Sequence, residues 1–279
     1  MRTQRPTVKK GGEMAESKGD GIEDLTDFAM DVIRLSGKEA LSYYGKGDPQ
    51  VKFDEELVTQ AELHLSNFFQ DQLRSRFSEH QVFENRRGSE DYSHEGKRYL
   101  WIFDALDGVA NFQAGIPIWG TSLALLENFW PILGVFYMPA TGDLFHAQAG
   151  KKAFWRDKEI RISAQEDIND ESVLLTFSRF HQHFGSTFPG KIRDLGCTSA
   201  HLCYVAAGRA EAAVIANETY RDLAAARVIL EAAGGKIFRI DGAAFSIDDY
   251  LDGQRIDEHL LVAAPHALSE VREYIQEIS

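Results

Sequence analysis

The residues of this sequence with the clearest chemical potential are Asp104 and Asp107, which follow an apolar run and directly precede Gly108. Two aspartates at this spacing around a turn can point at the same spot, and the carbonyl of Leu106 between them can reach it. Mg²⁺ takes oxygen ligands at about 2.0–2.1 Å and retains waters, so carboxylates and a carbonyl suit it. A surface turn rich in Asp and Gly has the same composition, and taken alone the pattern favours that plainer interpretation.

A further aspartate, Asp222, heads an Ala-rich segment with helical spacing. In the first turn of a helix a carboxylate interacts favourably with the helix dipole, which explains Asp222 without any ligand. If it instead joins Asp104 and Asp107, the cluster could hold two metals about 3.5–4 Å apart, which would activate a water and stabilise a leaving oxygen. Segment 109–112 is predicted to start a helical turn whose free N–H groups would bind a phosphate. Val109 is apolar where this chemistry would profit from a hydroxyl.

Composition narrows the classes of partner. The chain has 279 residues, of which 44% are hydrophobic and 26% charged, an ordinary globular mix that can bury a large core. Its formal net charge of -13 argues against binding a nucleic acid polymer, which requires clustered Lys and Arg. A small phosphorylated metabolite remains compatible with this charge, because bound cations invert the local field.

Localisation follows from cysteine use and hydropathy. The two cysteines, Cys197 and Cys203, have no second pair with which to form a metal site, so we predict a reduced, cytoplasmic protein. No run approaches the roughly 20 apolar residues of a membrane span, and we expect no membrane association. Residues 1–21 are polar and contain Gly, which predicts a disordered lead or a cloning remnant.

The elements that must position the aspartates are visible as hydrophobic periodicity. Helical spacing predicts helices over 22–45 and 55–76, and residues 99–163 read mostly as sheet. The second half alternates strands and helices and closes with a helix predicted over 266–278. This order of two helices, a sheet, and then alternating strands and helices indicates an α+β protein of layered type. Its N-terminal half is predicted at 22–165 and its C-terminal half at 166–279. The predicted elements of the middle and second half are strands at 99–103, 121–126, 132–137, 144–148, 153–155, 160–162, 172–177, 211–216, 236–240 and 260–264, and helices at 198–207 and 221–233.

The order of the motifs resembles the inositol monophosphatase family, the Mg²⁺-dependent, lithium-sensitive phosphatases of sugar phosphates and nucleotides. The family pattern Asp-Pro-x-Asp-Gly-Thr-x-Asn-Phe is matched by residues 104–112, and Trp-Asp-x-Ala-Ala-Gly by residues 221–226. The resemblance extends from about residue 22 to residue 278. Further segments that follow the family in order are 134–139, 144–147, 150–153, 193–200, 203–209 and 231–235.

The resemblance implies a layered αβαβα sandwich of the inositol monophosphatase and fructose-1,6-bisphosphatase type. It implies a homodimer that hydrolyses a small phosphate monoester (inositol-phosphate-like, a sugar phosphate or a nucleotide phosphate) through a metal-activated water. Two or three Mg²⁺ ions are expected, with the implied metal ligands Glu84, Asp104, the Leu106 carbonyl, Asp107 and Asp222. Glu84 is identified by its spacing before Asp104, and it would also act as the base for the attacking water.

The resemblance also implies roles for residues at positions that match other site residues of the family. Phosphate or substrate contacts are implied for Asp107, Gly108, Val109, Gly196, Cys197, Thr198 and Asp222. A second activating carboxylate of the family, in Asp-x-Val-Thr, is matched by Glu56 in Glu56-Leu57-Val58-Thr59. An exposed residue in a first helical turn explains Glu56 equally well, and Cys197 could be only a small buried residue.

The sequence departs from the family at three positions that bear on function. The Thr that helps to deprotonate the water is replaced by Val109. In inositol-specific members a Glu seven residues before the last metal Asp binds a sugar hydroxyl, and here that residue is Ile215; the Trp beside the Asp is Arg221. Arg221 could meet a second phosphate or a carboxylate, or form a surface ion pair. An alternative function is therefore a catalytically weak relative that binds metal and a phosphorylated ligand as a regulator or scaffold.

Overall fold

A computed structural model describes residues 21–47, 55–83, 98–165, 167–251 and 253–278. Two helices open the described chain: α1 at Ile22–Ala40 and α2 at Glu55–Arg76. The predicted bounds of α2 are confirmed, whereas α1 is shorter than the predicted helix over 22–45. Residues 41–45 form turns instead, ending at Gly45, whose positive φ of 68° cannot continue an α-helix.

The first sheet follows α2 and has its strands in sequence order. β1 pairs in parallel with β2, and the other neighbours are antiparallel. Alternation of small turns and apolar runs gives a meander in which each strand pairs with the next. A short helix, α3 at Val109–Ala114, lies between β2 and β3. The strands are β1 at Gln81–Val82, β2 at Tyr99–Asp107, β3 at Gly120–Glu127, β4 at Trp130–Met138, β5 at Asp143–Gln148, β6 at Ala153–Trp155 and β7 at Lys158–Ile160.

The second sheet has the order β10-β8-β11-β13-β12 and mixes parallel and antiparallel pairs. Its strands are β8 at Val173–Thr176, β10 at Lys191–Arg193, β11 at Ala212–Ile215, β12 at Lys236–Arg239 and β13 at Leu260–Ala263. The helices of this half are α4 at Phe180–His183, α5 at Thr198–Ala206, α6 at Tyr220–Ala232 and α7 at Leu268–Glu273. A separate pair of strands joins β9 at Phe184–Ser186 to β14 at Ile275–Glu277.

The elements stack as five layers. α1 and α2 pack on one face of the first sheet, and α5 and α6 lie between the two sheets. α4 and α7 cover the outer face of the second sheet, where Phe180 and Val271 join its apolar side chains. The α+β class and the αβαβα layering are thereby confirmed. The predicted boundary at residues 165 and 166 falls between the last strand of the first sheet and the first strand of the second, and the two-half division stays a prediction.

Two predicted elements near chain turns differ from the structure. The closing helix ends at Glu273, because residues 275–277 pair with β9 as the strand β14. The strand predicted at 160–162 lies at 158–160, because Arg156 takes a positive φ of 54° and turns the chain into a hairpin earlier. No described helix is long and apolar enough to cross a membrane.

Helix α6 packs against the first sheet at Gly134, where the strand has no side chain. A Cβ atom placed on Gly134 of β4 would lie 2.3 Å from the carbonyl oxygen of Ala225 and 2.9 Å from the Cβ of Val228. These separations are shorter than any normal contact, so the absence of a side chain at Gly134 sets how closely α6 packs. Because Asp222 lies in the first turn of α6, this packing also fixes the position of that carboxylate.

Candidate active site

Asp104 and Asp107 are brought to one side of β2 by a bulge. Residues an odd number apart in a regular strand point to opposite faces of a sheet. Here Asp104 pairs with Ser122 and Asp107 with Gly120, so β2 has one more residue than β3 over this interval. An extra residue in one strand shifts its alternation, which is how a bulge re-aims a side chain. The metal-site interpretation of this pair is thus favoured over the surface turn, because Asp104 is only 8% exposed.

Gly108 makes the turn from β2 into α3. Its φ is 81°, and a Cβ atom there would lie 2.9 Å from the carbonyl oxygen of Ile118 and 3.1 Å from the Cβ of Cys197. Both the conformation and the close approach require glycine. Val109 is the first residue of α3 and packs partly against the core formed with α1 and α2. The predicted helical turn after Gly108 is therefore present.

Asp107 is held by the N-terminus of α5. The amide of Thr198 donates a hydrogen bond to its Oδ1 at 3.2 Å, and the amide of Ser199 donates to its Oδ2 at 2.6 Å. The buried Cys197 lies beside this carboxylate; burial raises the pKa of the Cys197 thiol, and the charge of the carboxylate raises it further. A carboxylate at a helix N-terminus is favoured by the free N–H groups and the helix dipole. Cys197 is thus a small buried residue, as one interpretation predicted, and it contacts a site residue as well.

The loop before α5 is tied to α3 by one side chain. Nδ2 of Asn111 donates to the carbonyl oxygens of Ile118 and Leu195, both at 2.7 Å. Gly196 packs against it, and a Cβ atom on Gly196 would lie 2.9 Å from this Nδ2. Asn111 therefore fixes the spacing between the Gly108 turn and the Gly196 loop.

Asp222, on α6, is the third aspartate of the candidate site. Its Oδ2 accepts hydrogen bonds from the amide of Thr219 at 2.7 Å and from Oγ1 of Thr219 at 2.8 Å. This is the reciprocal arrangement of a capping box, with Asp222 at the third helical position. Oγ of Ser199 donates to the carbonyl oxygen of Asp222 at 3.5 Å, so α5 and α6 meet beside the site.

The three aspartates act on one another electrostatically. Burial raises the pKa of Asp104 well above its usual range, and the charges of Asp222 and Asp107 raise it further. Burial also raises the pKa of Asp107, while hydrogen bonds from Ser199 oppose the shift. A buried group of like charges is unfavourable unless a cation offsets it.

The donor set therefore fits a hard divalent cation. Its described donors are carboxylate oxygens, with the Leu106 carbonyl in the same turn, and such oxygens suit Mg²⁺. Within the described residues, no three His, Cys, Asp or Glu side chains already converge as a metal-binding group. Asp107 and Asp222 point toward amide and hydroxyl donors, and each carboxylate still has lone pairs beyond those bonds. Glu84, the remaining predicted ligand, lies outside the described residues.

Arg221 is half-buried and lies near this cluster. Burial raises the pKa of Asp104 and of Glu62 on α2, and the charge of Arg221 opposes both shifts, so the guanidinium lies near both carboxylates. Its Nε is buried and has no hydrogen-bond partner in the described part of the chain. No ion pair among the described residues includes Arg221, so the surface ion pair considered for it stays a prediction. The sequence analysis missed Glu62, which is exposed and lies on α2 next to the buried Ala61.

Glu218 is a second carboxylate that sequence reasoning missed. Oγ1 of Thr198 donates a hydrogen bond to its Oε1 at 2.7 Å. Burial raises the pKa of Glu218 well above its usual range, followed by the charges of Asp222 and Asp107. The signal for it was its place four residues before Asp222, in the loop that leads into α6. Ile215, the position of the family's sugar-binding Glu, is buried in β11 with 1% exposure.

Glu56, the predicted second base, lies exposed in the first turn of α2. Its Oε1 accepts a hydrogen bond from Nε2 of Gln60 at 3.1 Å. No hydrogen bond or ion pair of the described residues joins it to the three aspartates, and its catalytic role stays a prediction.

His201 of α5 lies behind the site as a buried neutral imidazole. The amide of Leu195 donates to its Nε2 at 3.0 Å, which leaves the proton of the neutral ring on Nδ1. Burial lowers the pKa of His201 to about 4, from an ordinary value of 6.5. Its charged form is therefore disfavoured in the folded protein.

We expect this histidine to lower the free energy of unfolding as the pH falls. The unfolded chain takes up a proton near pH 6.5 and the folded chain only near pH 4, so stability is present above pH 6.5 and is lost as pH falls between these values. The loss approaches about 1.4 kcal/mol per pH unit. Urea unfolding at several values between pH 4.5 and 7 would give the free energy of unfolding as a function of pH. Its slope should be steeper by this amount in the wild type than in His201→Gln, which keeps an acceptor for the Leu195 amide. Equal slopes would contradict the assignment.

Comparison with known proteins places the geometry in context. The model of the Inositol monophosphatase family matches residues 22–276. A histidinol-phosphatase of Chlorobaculum parvum is 31% identical over 231 residues, which are 79% of this chain and 88% of that protein. A fructose-1,6-bisphosphatase/inositol-1-monophosphatase of Thermotoga maritima is 28% identical over 260 residues, 89% of this chain and 98% of that protein. The solved structure of a Thermotoga maritima IMPase superposes with a TM-score of 0.72 at 24% identity, covering 90% of this chain and 96% of that one.

Proposed function

Because this chain belongs to the inositol monophosphatase family, we propose that it is a Mg²⁺-dependent phosphatase that hydrolyses a small phosphate monoester. The observation that carries the proposal is the meeting of Asp104 and Asp107, from the end of β2, with Asp222, from the start of α6. Asp222 is far from the other two in the chain, and its charge and that of Asp107 oppose the charge of the buried Asp104, which a cation would offset.

Asp104, Asp107, Asp222, the Leu106 carbonyl and Glu84 would hold two or three Mg²⁺ ions. When bound, the metal would supply positive charge to the phosphoryl oxygens and lower the pKa of a water. The family membership supports a metal-dependent phosphatase in general, and the choice of Mg²⁺ rests on the all-oxygen donor set.

The protein's own groups have separate tasks in this proposal. Glu84, with Glu56 as a second base, accepts a proton from the attacking water. The amides of Gly108 and Val109 contact the phosphate, and the turn that presents them is held open by the glycine conformation. The Thr198 and Ser199 amides fix Asp107, so that its carboxylate does not reorient as the charge at phosphorus changes.

The substrate we propose is a small phosphorylated metabolite rather than a nucleic acid polymer, in keeping with the net charge of -13. Two related proteins are named for histidinol, fructose-1,6-bisphosphate and inositol-1-phosphate chemistry, which spans amino, sugar and polyol phosphates. A cytoplasmic homodimer without membrane association completes the proposal. The free, buried Cys197 and Cys203 support a reducing compartment, and the dimer follows from the family resemblance.

The second candidate function is a weakly catalytic metal- and ligand-binding regulator or scaffold. Val109 favours it, because this side chain cannot orient or deprotonate a water. We expect Val109→Thr to raise kcat at least about tenfold, since a positioned acid–base group contributes typically 10²–10⁴-fold. The matched control is Val109→Ala, which lacks the hydroxyl and should show no gain. A wild type without turnover, unchanged in Val109→Thr, would favour the regulator.

The test of the main proposal is phosphate release from a panel of phosphate monoesters, with Mg²⁺ and with EDTA. Glycerol 2-phosphate, a hexose phosphate and an amino alcohol phosphate cover the three substrate chemistries. Mg²⁺-dependent release above the level of Asp104→Asn supports a phosphatase. The enzyme proposal is rejected if no ester is hydrolysed above that background.

A further inference from the structure

The N-terminus of α5 is not capped by its own N-cap residue. Cys197 occupies that position, and within the described residues its side chain makes no cap hydrogen bond. A serine, threonine, aspartate or asparagine there would satisfy one of the free amides of the first turn. The amides of Thr198 and Ser199 donate instead to the carboxylate of Asp107, which comes from β2. The orientation of Asp107 therefore depends on how the start of α5 is held.

His201 ties the loop before α5 to the helix itself. It lies in the first turn of α5 and is 2% exposed, and its Nε2 accepts the amide of Leu195 at 3.0 Å. Side chains of a helix lean toward its N-terminus, which lets a residue of the first turn reach the preceding loop. The imidazole thus supplies, from within the helix, a tie between helix and loop that the N-cap residue does not provide.

From Leu195 the hydrogen bonds continue to the turn that ends β2. The carbonyl oxygen of Leu195 accepts Nδ2 of Asn111 at 2.7 Å, and the same Nδ2 donates to the carbonyl oxygen of Ile118 at 2.7 Å. That oxygen packs against Gly108, where an added Cβ atom would lie 2.9 Å from it. The backbone of Leu195 is therefore held on both sides, by His201 at its N–H and by Asn111 at its carbonyl.

A second anchor of the loop lies at the surface. The amide of Gly196 donates to Oδ1 of Asp194 at 2.8 Å, and Oγ of Ser178 donates to Oδ2 of the same carboxylate at 2.6 Å. Both bonds are exposed, so water can replace them, whereas the acceptor on His201 is enclosed by the protein. Loss of the imidazole acceptor is therefore the change to which the loop is most sensitive.

We propose that His201 is a positioning residue, which accepts the Leu195 amide and thereby holds the start of α5. The two free amides of that turn, at Thr198 and Ser199, then keep the carboxylate of Asp107 in one orientation for a metal. The inference rests on the proposed function, because it concerns Asp107 as a metal ligand. His201 acts only through the loop, and no proton transfer at its ring is involved.

The test compares three variants, of which one loses the acceptor. His201→Leu removes it at similar size, and His201→Gln keeps an acceptor oxygen within reach of the same amide. Val205→Ala, at a position of α5 that is 1% exposed, removes buried apolar atoms from the same helix and leaves the side-chain hydrogen bonds of the loop in place. Titration calorimetry gives the Kd of Mg²⁺, and mass spectrometry of amide hydrogen exchange in EDTA follows segment 194–199 without any metal.

We expect His201→Leu to weaken Mg²⁺ binding by about tenfold, the lower end of the range for residues that support a metal ligand from behind. Exchange of segment 194–199 should accelerate by at least about tenfold in the same variant. His201→Gln and Val205→Ala should both stay within about twofold of the wild type in each measurement. Rescue by glutamine and the neutral result at Val205 separate positioning from a general loss of stability.

The inference is overturned if His201→Leu binds Mg²⁺ as the wild type does, if His201→Gln binds it as weakly as His201→Leu, or if Val205→Ala weakens binding equally. If His201→Leu does not fold, the wild type decides. Protection of segment 194–199 in EDTA supports the tie, and exchange as fast as in an unfolded peptide rejects it. A wild type that binds no Mg²⁺ rejects the proposed function, whereas faster exchange confined to His201→Leu would still support the hold on α5.

Discussion

On the proposed function, we expect Asp104→Asn to lower Mg²⁺-dependent phosphate release by at least about 10³-fold, because the substitution removes the charge of one proposed ligand from the cluster. The same change should raise the thermal stability of the protein in EDTA. Asp104 is 8% exposed and is opposed by Asp222 and Asp107, so its charge is a cost to the metal-free fold. We expect Tm to rise by at least about 2 °C, the shift that about 1 kcal/mol gives in a protein of this size.

Asp143 of β5 provides a matched control for that experiment. It lies in the same sheet and is also 8% exposed, but it faces a cation. Its Oδ1 pairs with Nη2 of Arg156 at 2.8 Å and accepts a hydrogen bond from Nε1 of Trp155 at 2.9 Å. Asp143→Asn should keep activity and lower Tm. Loss of activity in both variants, or a fall of Tm in both, would contradict a metal-binding role that is specific to Asp104.

Gly134→Ala is expected to destabilise the protein by about 2–3 kcal/mol and to weaken Mg²⁺ binding together with it. The added methyl group would overlap the Ala225 carbonyl oxygen at 2.3 Å, and backbone on both sides leaves it no room. α6 must move away from β4, and Asp222 moves with it. Urea unfolding would measure the first effect, and the Mg²⁺ concentration for half-maximal activity the second.

Gly185→Ala is the control for the general cost of replacing glycine. Gly185 also lies in a strand, but an added Cβ atom would have only one contact, at 4.0 Å from the Gln276 carbonyl oxygen. Its effect should stay within about 0.5 kcal/mol, as for a surface substitution. If both glycine variants are equally stable, the close packing of α6 on β4 is not what positions Asp222.

The sequence was sufficient to predict the layers of the fold and to name the carboxylates of the candidate site. α2 has the predicted bounds, since its apolar residues repeat with helical spacing over its whole length. Asp104, Asp107 and Asp222 were identified from their motifs; in the structure the charges of Asp222 and Asp107 act on Asp104, and the role of all three as metal ligands stays a prediction. Each of these motifs is a short stretch of sequence, so it can be recognised without knowing which segments pack against it.

What the sequence could not show depends on contacts between distant segments. Residues 275–277 form a strand only because β9 offers an unpaired edge, so a helical pattern there was misleading. Glu218 belongs to no motif, and only its hydrogen bond with Thr198 relates it to the site. The bulge that turns Asp107 to the side of Asp104 is likewise a property of the β2–β3 pairing and not of β2 alone.

The position of α6 between the sheets has a consequence for synthesis of the chain. The first sheet is complete at Ile160, but the helix that covers its inner face ends at Ala232. A nascent chain therefore carries an apolar sheet face without its cover while the ribosome adds the residues between. During this interval the aspartates of β2 also lack their partner from α6. The burial of that face and the meeting of the aspartates are thus late, coupled events, and a chain interrupted in this interval would be a substrate for chaperones.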